Sequence, residues 1–410
     1  MYAREMKRME YTIWSRMADL MRPASVLLLS VLTVIAFLSC GGSSDDTPDT
    51  PVPQPKENPI VFSGSLSEGK SESQTQSRAG ETSVPLYEYP TAEAGHTSFH
   101  AWSYKTKTSD PLAIDEVMKD YTVNWTSGSA GTTISNTNDW EYVGQGSTPQ
   151  TIKYWDYSAV DYRFFGYSGT APAPSYTFEA GVLKSVSLTF SVNAETEATP
   201  TATSPLYSTL WKKTGTALSA SNQPVVLTFI RPIARVRFIF TYVEGVTFDR
   251  KDLHDISFKP TNTQKGTAKN GTVTISYPLT GEKETWTSTV SDPFITFNID
   301  YFETPEPGVL STDPNYISDK AHHWYYVLPR LGPGDGEESQ GSYTLSVMVG
   351  NTEEPTVCQV PAEYMTWAPG YDYTYIFKLT ASGSVSLSNV QVAINEWHVK
   401  DAVEHPVYNW

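Results

Sequence analysis

The residue with the most definite chemistry is Cys40. It closes Leu38-Ser39-Cys40 at the end of an apolar run from Ala24 to Leu38, which Arg16 and Arg22 precede. A basic flank, an apolar core and small residues at its end are the layout of a secretory signal. The thiol at the cleavage point adds a second chemistry. Leu-Ser-Cys resembles a bacterial lipobox, in which the cysteine is acylated and becomes the first residue of the mature chain. The run is 15 residues long, short of the ~20 that span a bilayer, so a cleaved signal is the reading and a plain N-terminal anchor the alternative. Residues 1–39 are thus expected to be a lipoprotein signal peptide, with Met6, Met17 and Met21 as alternative starts. Acyl chains on Cys40 would then hold the remainder at a membrane.

Other reactive residue types do not assemble into a catalytic pattern. The second cysteine, Cys358, lies in the alternating stretch Thr356-Val357-Cys358-Gln359-Val360 and reads as a small buried hydrophobe on a strand. With Cys40 acylated it has no partner, so disulfides do not hold the mature chain together. His322-His323 are neighbours, and neighbours on a strand point to opposite faces, which is poor geometry for one metal. No Gly-x-Ser-x-Gly, phosphate-loop or dinucleotide glycine pattern occurs. Gly332–Glu338 has acidic residues without calcium-loop periodicity, and no carboxylate pair is singled out for glycoside hydrolysis. The expectation is a protein that is not an enzyme and needs no cofactor or metal. The chain carries 29 basic and 45 acidic residues; residues 1–39 hold five and three of them, leaving a mature net charge of −18. Such a surface repels phosphate backbones, which excludes nucleic acid as a partner.

The elements that must carry whatever remains are strands. Residues 40–58 are rich in proline, glycine and acidic residues and read as an acylated cysteine followed by a disordered tether. From residue 59, alternation predicts strands over Ile60–Phe62, Phe99–Tyr104, Tyr162–Tyr167, Val186–Val192, Val225–Ile230 and Ile233–Tyr242. It continues over Thr272–Tyr277, Phe294–Ile299, Trp324–Leu328, Tyr343–Val349, Tyr371–Leu379 and Val385–Ile394. The best local exception is Ile114–Tyr121, which reads as about two helical turns. In Arg235-Val236-Arg237-Phe238-Ile239-Phe240 the arginines fall on one face and the apolar residues on the other, predicting an antiparallel strand with one wet face. The phase slip at Ser388-Asn389 predicts a tight hairpin or a bulge. Short strands with turn signals and no long alternating helices make an all-β sandwich class. The expected division is 59–245 for an N-terminal and 246–410 for a C-terminal β-sandwich. Aromatic clusters at Tyr154, Trp155 and Tyr157, and at Trp324, Tyr325 and Tyr326, are read as sandwich core, with an exposed sugar-binding platform as the alternative.

Several of these segments, in this order, resemble the fimbrillin family of Bacteroidetes. They are the lipobox cysteine, the proline-rich tether, Tyr154-Trp155-Asp156-Tyr157-Ser158-Ala159 followed by Asp161–Tyr167, and Ile233-Ala234-Arg235-Val236. The ending also fits: Trp367-Ala368-Pro369-Gly370-Tyr371-Asp372-Tyr373-Thr374-Tyr375, a hairpin, then Trp397. The acidic Asp45-Asp46 after the cysteine resembles the surface-export signal of lipoproteins from the same bacteria. The resemblance implies two transthyretin-like antiparallel β-sandwich domains. It also implies a stalk, tip or anchor subunit of a type V pilus, lipid-anchored at the outer membrane and exposed on the cell surface.

Such a subunit is expected to lose a strand to proteolysis after an arginine and to accept a strand of another subunit by β-augmentation. Here Ile60, Val61 and Phe62 are the candidate removable strand. Ser65–Ser77 is a polar loop open to proteases, and Arg78-Ala79 is the candidate cleavage point. The donor segment in this family is C-terminal, making Val385–Trp410 the candidate, although Pro406 limits its last part to an edge or a bend. The expected partners are other fimbrial subunits, the membrane through lipidated Cys40, and a host or bacterial surface receptor or glycan. The alternative is a monomeric surface glycan-binding lipoprotein, which needs no cut at Arg78.

Overall fold

Where one face of an extended segment must be buried, apolar and polar residues alternate and strands result. The computed structural model describes residues 58–66, 84–86, 95–107, 110–128, 132–136, 138–214, 224–242, 252–262, 266–291, 294–299, 324–331, 342–379 and 385–396, and over these the chain is all-β. The strands of the first half are β1 (Phe62–Leu66), β2 (Val84–Pro85), β3 (Ser98–Lys107), β4 (Asp110–Trp125), β5 (Trp140–Glu141), β6 (Ala159–Ser168), β7 (Ala173–Glu179), β8 (Val182–Asn193), β9 (Leu206–Ser208), β10 (Trp211–Thr214), β11 (Val225–Ile230) and β12 (Ala234–Tyr242). Those of the second are β13 (Leu253–Pro260), β14 (Asn270–Pro278), β15 (Thr285–Val290), β16 (Phe297–Asn298), β17 (Tyr325–Val327), β18 (Tyr343–Val349), β19 (Thr356–Val360), β20 (Tyr371–Leu379) and β21 (Val385–Glu396).

Four sheets form. The largest runs β2-β1-β11-β9-β6-β3-β4-β5, with β10 also on β6; the second runs β15-β14-β8-β7. Both faces of the first sheet are covered, which is why Tyr162 to Tyr167 is buried at every position. Phe99, Tyr162, Phe164, Val225 and Leu227 point into an inner core with Trp140, Tyr142 and Trp155. Trp102, Tyr104, Phe165 and Tyr167 point the other way, against Val186, Leu188, Val273, Ile275 and Tyr277 of the second sheet. Phe165 stacks on Tyr277 with ring centroids 4.1 Å apart. β8 and β14 lie on opposite sides of residue 245, yet pair from Ser185↔Pro278 to Asn193↔Asn270, so segments from both sides of that point build one sheet.

The other two sheets, β17-β12-β20-β21 and β16-β13-β18-β19, face each other over Val236, Phe238, Phe240, Phe258, Phe297, Leu345, Tyr373, Tyr375 and Trp367. The Tyr375 hydroxyl donates to the Tyr364 carbonyl at 2.6 Å and accepts from Trp367 Nε1 at 2.8 Å. Tyr375→Phe takes the partner from the buried Trp367 N–H and from the half-buried Tyr364 carbonyl. The expected cost is about 1–3 kcal/mol, read as a lowered urea midpoint with an unchanged slope.

The structure departs from the sequence reading in several places. Ile114–Tyr121 lies within strand β4 and is not helical. Along its pairing with β3 the register shifts repeatedly, and Asp120 takes a left-handed φ of 52°. Each bulge adds a residue and resets the alternation, so inward positions fall at spacings that imitate a helix. β12 is antiparallel to β17 as expected but parallel to β20, and its arginine face is not wet: Arg237 is 2% exposed. The strand expected at Phe294–Ile299 is confined to Phe297–Asn298, and that expected at Ile60–Phe62 begins at Phe62. At Ser388-Asn389 the chain bulges within one continuous strand, because Phe377↔Val390 is followed by Leu379↔Val385. Cys358 is buried as expected, and burial pushes its thiol pKa up.

His96, just before β3, is 2% exposed, and its Nδ1 meets Ser168 Oγ at 2.8 Å. Burial pulls the imidazole down to about 4, with the Arg231 charge adding to it. The unfolded chain, with an imidazole near 6.5, therefore binds more protons than the folded one between these values. Stability from this group is full above pH 6.5 and falls as pH drops toward 4, by up to roughly 3 kcal/mol. A His96→Asn variant should lose this acid slope in thermal melts taken from pH 7 to 4.

Candidate functional site

The segment with the properties of a replaceable part is Asn58–Leu66. Ile60, Val61 and Phe62 supply the β-branched and aromatic types that strands favour. β1 pairs in parallel with β11 from Phe62↔Val225 to Leu66↔Phe229. Among the described residues its other side pairs only with β2, two residues long and ending in Pro85, which has no N–H to give a ladder. β1 therefore sits one minimal strand in from the edge of its sheet.

Its side chains nonetheless reach the inner core. Ile60 and Phe62 are both fully buried. The sheet curls so that Phe62 meets Phe99, Tyr142 and Phe164 edge-on, at 5.7, 5.9 and 5.8 Å between centroids. Upstream, the chain crosses to the Lys153–Trp155 segment. Ile60 N–H donates to the Lys153 carbonyl at 2.8 Å and Trp155 N–H to the Asn58 carbonyl at 3.0 Å. The Tyr142 hydroxyl donates to the Ile60 carbonyl and accepts from Lys153 N–H, each at 3.0 Å. Burial raises its pKa, so it stays a donor at neutral pH. Asn58 Nδ2 donates to the Tyr157 hydroxyl at 2.5 Å, and Val225 N–H donates to the Val61 carbonyl at 2.8 Å.

Nothing in this arrangement does covalent chemistry. What it can do is exchange one strand for another: withdrawing residues 58–66 would bare the β11 backbone and an aromatic-lined slot, a template for another strand. Cys40, Arg78 and Ala79 lie outside the described residues, as do His322, His323 and Gly332–Glu338. Of the candidate donor segment, Val385–Glu396 is β21, paired antiparallel with β20; residues 397–410 lie outside the described residues. The sequence reading missed Tyr142, which bonds a residue 82 positions away, a separation that no local pattern reports.

The aromatic clusters are split between core and surface, with Tyr157 45% exposed. Trp155 is 5% exposed, edge-on to Tyr162 at 4.8 Å. The guanidinium carbons of Arg235 and Arg237 lie 4.2 and 4.5 Å from the Trp324 ring centroid, two cation–π contacts. No group of three metal-ligating side chains occurs among the described residues.

Residues 94–397 match the family model described as Fimbrillin-like. The solved structures similar to this chain include a fimbrial protein from Bacteroides vulgatus ATCC 8482, 12% identical over 83% of this chain and 99% of that one, with a TM-score of 0.38. They also include a fimbrial assembly protein from Parabacteroides distasonis ATCC 8503, 10% identical over 76% of this chain and 91% of that one, with a TM-score of 0.29. No curated protein sequence matches the chain.

Proposed function

The chain belongs to the fimbrillin-like family, and on that premise we propose that it is a structural or adhesive subunit of a cell-surface fimbria, assembled by removal of β1 and insertion of a strand from another subunit. The export route in this reading is the lipoprotein one, with acyl chains on Cys40 holding the precursor at the outer membrane until the cut after Arg78 frees it. Whether it serves as stalk, tip or anchor follows from which partner fills the slot.

The observation that carries the reading is the placement of β1. A strand that fills the core with Ile60 and Phe62, yet lies one two-residue strand from the sheet edge, can leave without unthreading the fold. Seventeen residues, Ser67–Ser83, separate it from β2, and the sequence there is Ser-, Glu- and Gln-rich around Arg78. The monomeric glycan-binding alternative loses its main support, because Trp155 is in the core and Trp324 lies against two arginines.

The test is to shear surface filaments from producing cells and determine the N-terminus of this chain within them. The expected result is recovery in the filaments beginning at Ala79, with Cys40→Ser abolishing both membrane retention and filament entry. Recovery only in the membrane fraction, with residues 40–78 still attached, would overturn the proposal.

A further inference from the structure

We propose that the slot of β1 selects its occupant by side-chain pattern: it takes, parallel to β11, a strand bearing an aliphatic residue, an aromatic residue and a glycine at alternate positions, supplied by a different protein and not by the C-terminal segment of a second copy. This rests on the reading of β1 as the strand that is replaced, and it states what the replacement must look like.

Alternate residues of an extended strand share one face, so residues 60, 62 and 64 enter the slot together. At position 62 three rings stand around Phe62 at interplanar angles of 77°, 85° and 80°. Edge-to-face contact on three sides shapes the site to a flat ring, and an aliphatic side chain there leaves a void. At position 64 the opposite limit holds. A Cβ on Gly64 would stand 3.3 Å from Leu86 Cδ2 and 3.4 Å from Phe99 Cε1. Alanine forces small shifts of these neighbours, and a branched side chain has no room. Glycine is thus favoured here by close approach and not by its backbone freedom, with alanine tolerated at a small cost.

The upstream end fixes register. Tyr142 Oη, the Lys153 carbonyl and Trp155 N–H bind the backbone of residues 58–60 at set positions. A slip of one residue turns the other face inward, which here would put Val61, Ser63 and Ser65 where Ile60, Phe62 and Gly64 now stand, with a serine in place of the ring. The slot therefore reads both spacing and type.

This chain's own C-terminal segment does not supply the pattern. The aromatic residues in 385–410 are Trp397, Tyr408 and Trp410, and two positions before them stand Asn395, Pro406 and Tyr408. None has an aliphatic residue there. Two positions after Trp397 is Val399, where the slot needs no side chain.

The test uses the full chain with a site-specific protease sequence placed within residues 67–83, so that β1 can be freed whatever happens at Arg78. After cleavage, fluorescent peptides compete for the slot in mild denaturant, read by anisotropy. The probes are residues 58–66 as they stand, the same peptide with Gly64→Ala, Gly64→Leu or Phe62→Ala, and residues 385–410. The native peptide should bind, and Gly64→Ala should weaken it by less than about tenfold. Gly64→Leu and Phe62→Ala should each weaken it by roughly a hundredfold or more, and residues 385–410 should not compete. Equal binding by Gly64→Leu, or by the C-terminal peptide, overturns the proposal while leaving β1 replaceable. Failure of every peptide, the native one included, overturns the underlying reading as well.

Discussion

Phe62→Ala in the intact chain should lower stability by about 3–5 kcal/mol, more than any other single truncation in β1. The side chain is fully buried, and three rings meet it edge-on. Those rings belong to β3, to the turn after β5 and to β6, which other strands hold in place, so the space cannot collapse and a cavity remains. Val226→Ala on β11 is the control. Its side chain is 40% exposed, and its loss should change stability by no more than about 0.5 kcal/mol. Chemical denaturation followed through tryptophan fluorescence measures both. A cost below about 1 kcal/mol at Phe62 would mean that the slot closes without its strand, and that no drive to capture another exists.

Asp372→Ala should be comparably damaging to the second sandwich, for a different reason. β12 and β20 run parallel with Arg235 beside Asp372. The two meet in a bidentate pair, Nε to Oδ1 and Nη2 to Oδ2, both at 2.6 Å, with Asp372 3% exposed. Such a fork is strong because both N–H groups are spent on one carboxylate. Removing the carboxylate leaves a guanidinium in a site built for an ion pair, at an expected cost of about 3–5 kcal/mol. Replacing both partners, Arg235→Met with Asp372→Leu, should recover most of the loss, since an apolar pair carries no desolvation penalty. Thermal melts of the two single variants and the double variant decide the matter. If the double variant is no more stable than Asp372→Ala, packing of Arg235 against Trp324, and not charge, dominates there.

How much of this was legible in the sequence depended on whether a strand keeps its phase. β11, β18 and β20 do, and their ends match the alternation at both bounds. β4 and β13 do not. Asp120 and Asp255 take φ of 52° and 50°, and register shifts beside them break the period of two, so β4 read as helix and β13 was not seen. β1 was placed two residues early because the polar residues from Ser65 onward read as a loop. Gly64 is there because Leu86 and Phe99 lie against it, a fact about residues 22 and 35 positions away. The arginines of β12 looked solvated because charge on one face usually means water. Here a carboxylate and a tryptophan ring take the place of water. The removable strand could thus be nominated from its residue types, whereas the slot that gives it meaning is made by long-range contacts that periodicity does not encode.

The central claim is that β1 leaves and its place can be refilled, and hydrogen exchange across β11 tests it most directly. Exchange at Val225–Ile230 would be followed by mass spectrometry in the intact mature chain and after treatment with an arginine-specific protease. In the intact chain these amides are paired, Val225 N–H with the Val61 carbonyl at 2.8 Å, and should be protected. The account predicts a cut after Arg78, loss of protection in β11 when residues 40–78 depart, and its return when a strand of matching pattern is added. Refusal of Arg78 to be cut in the native chain, or unchanged protection of β11 after the cut, would contradict it.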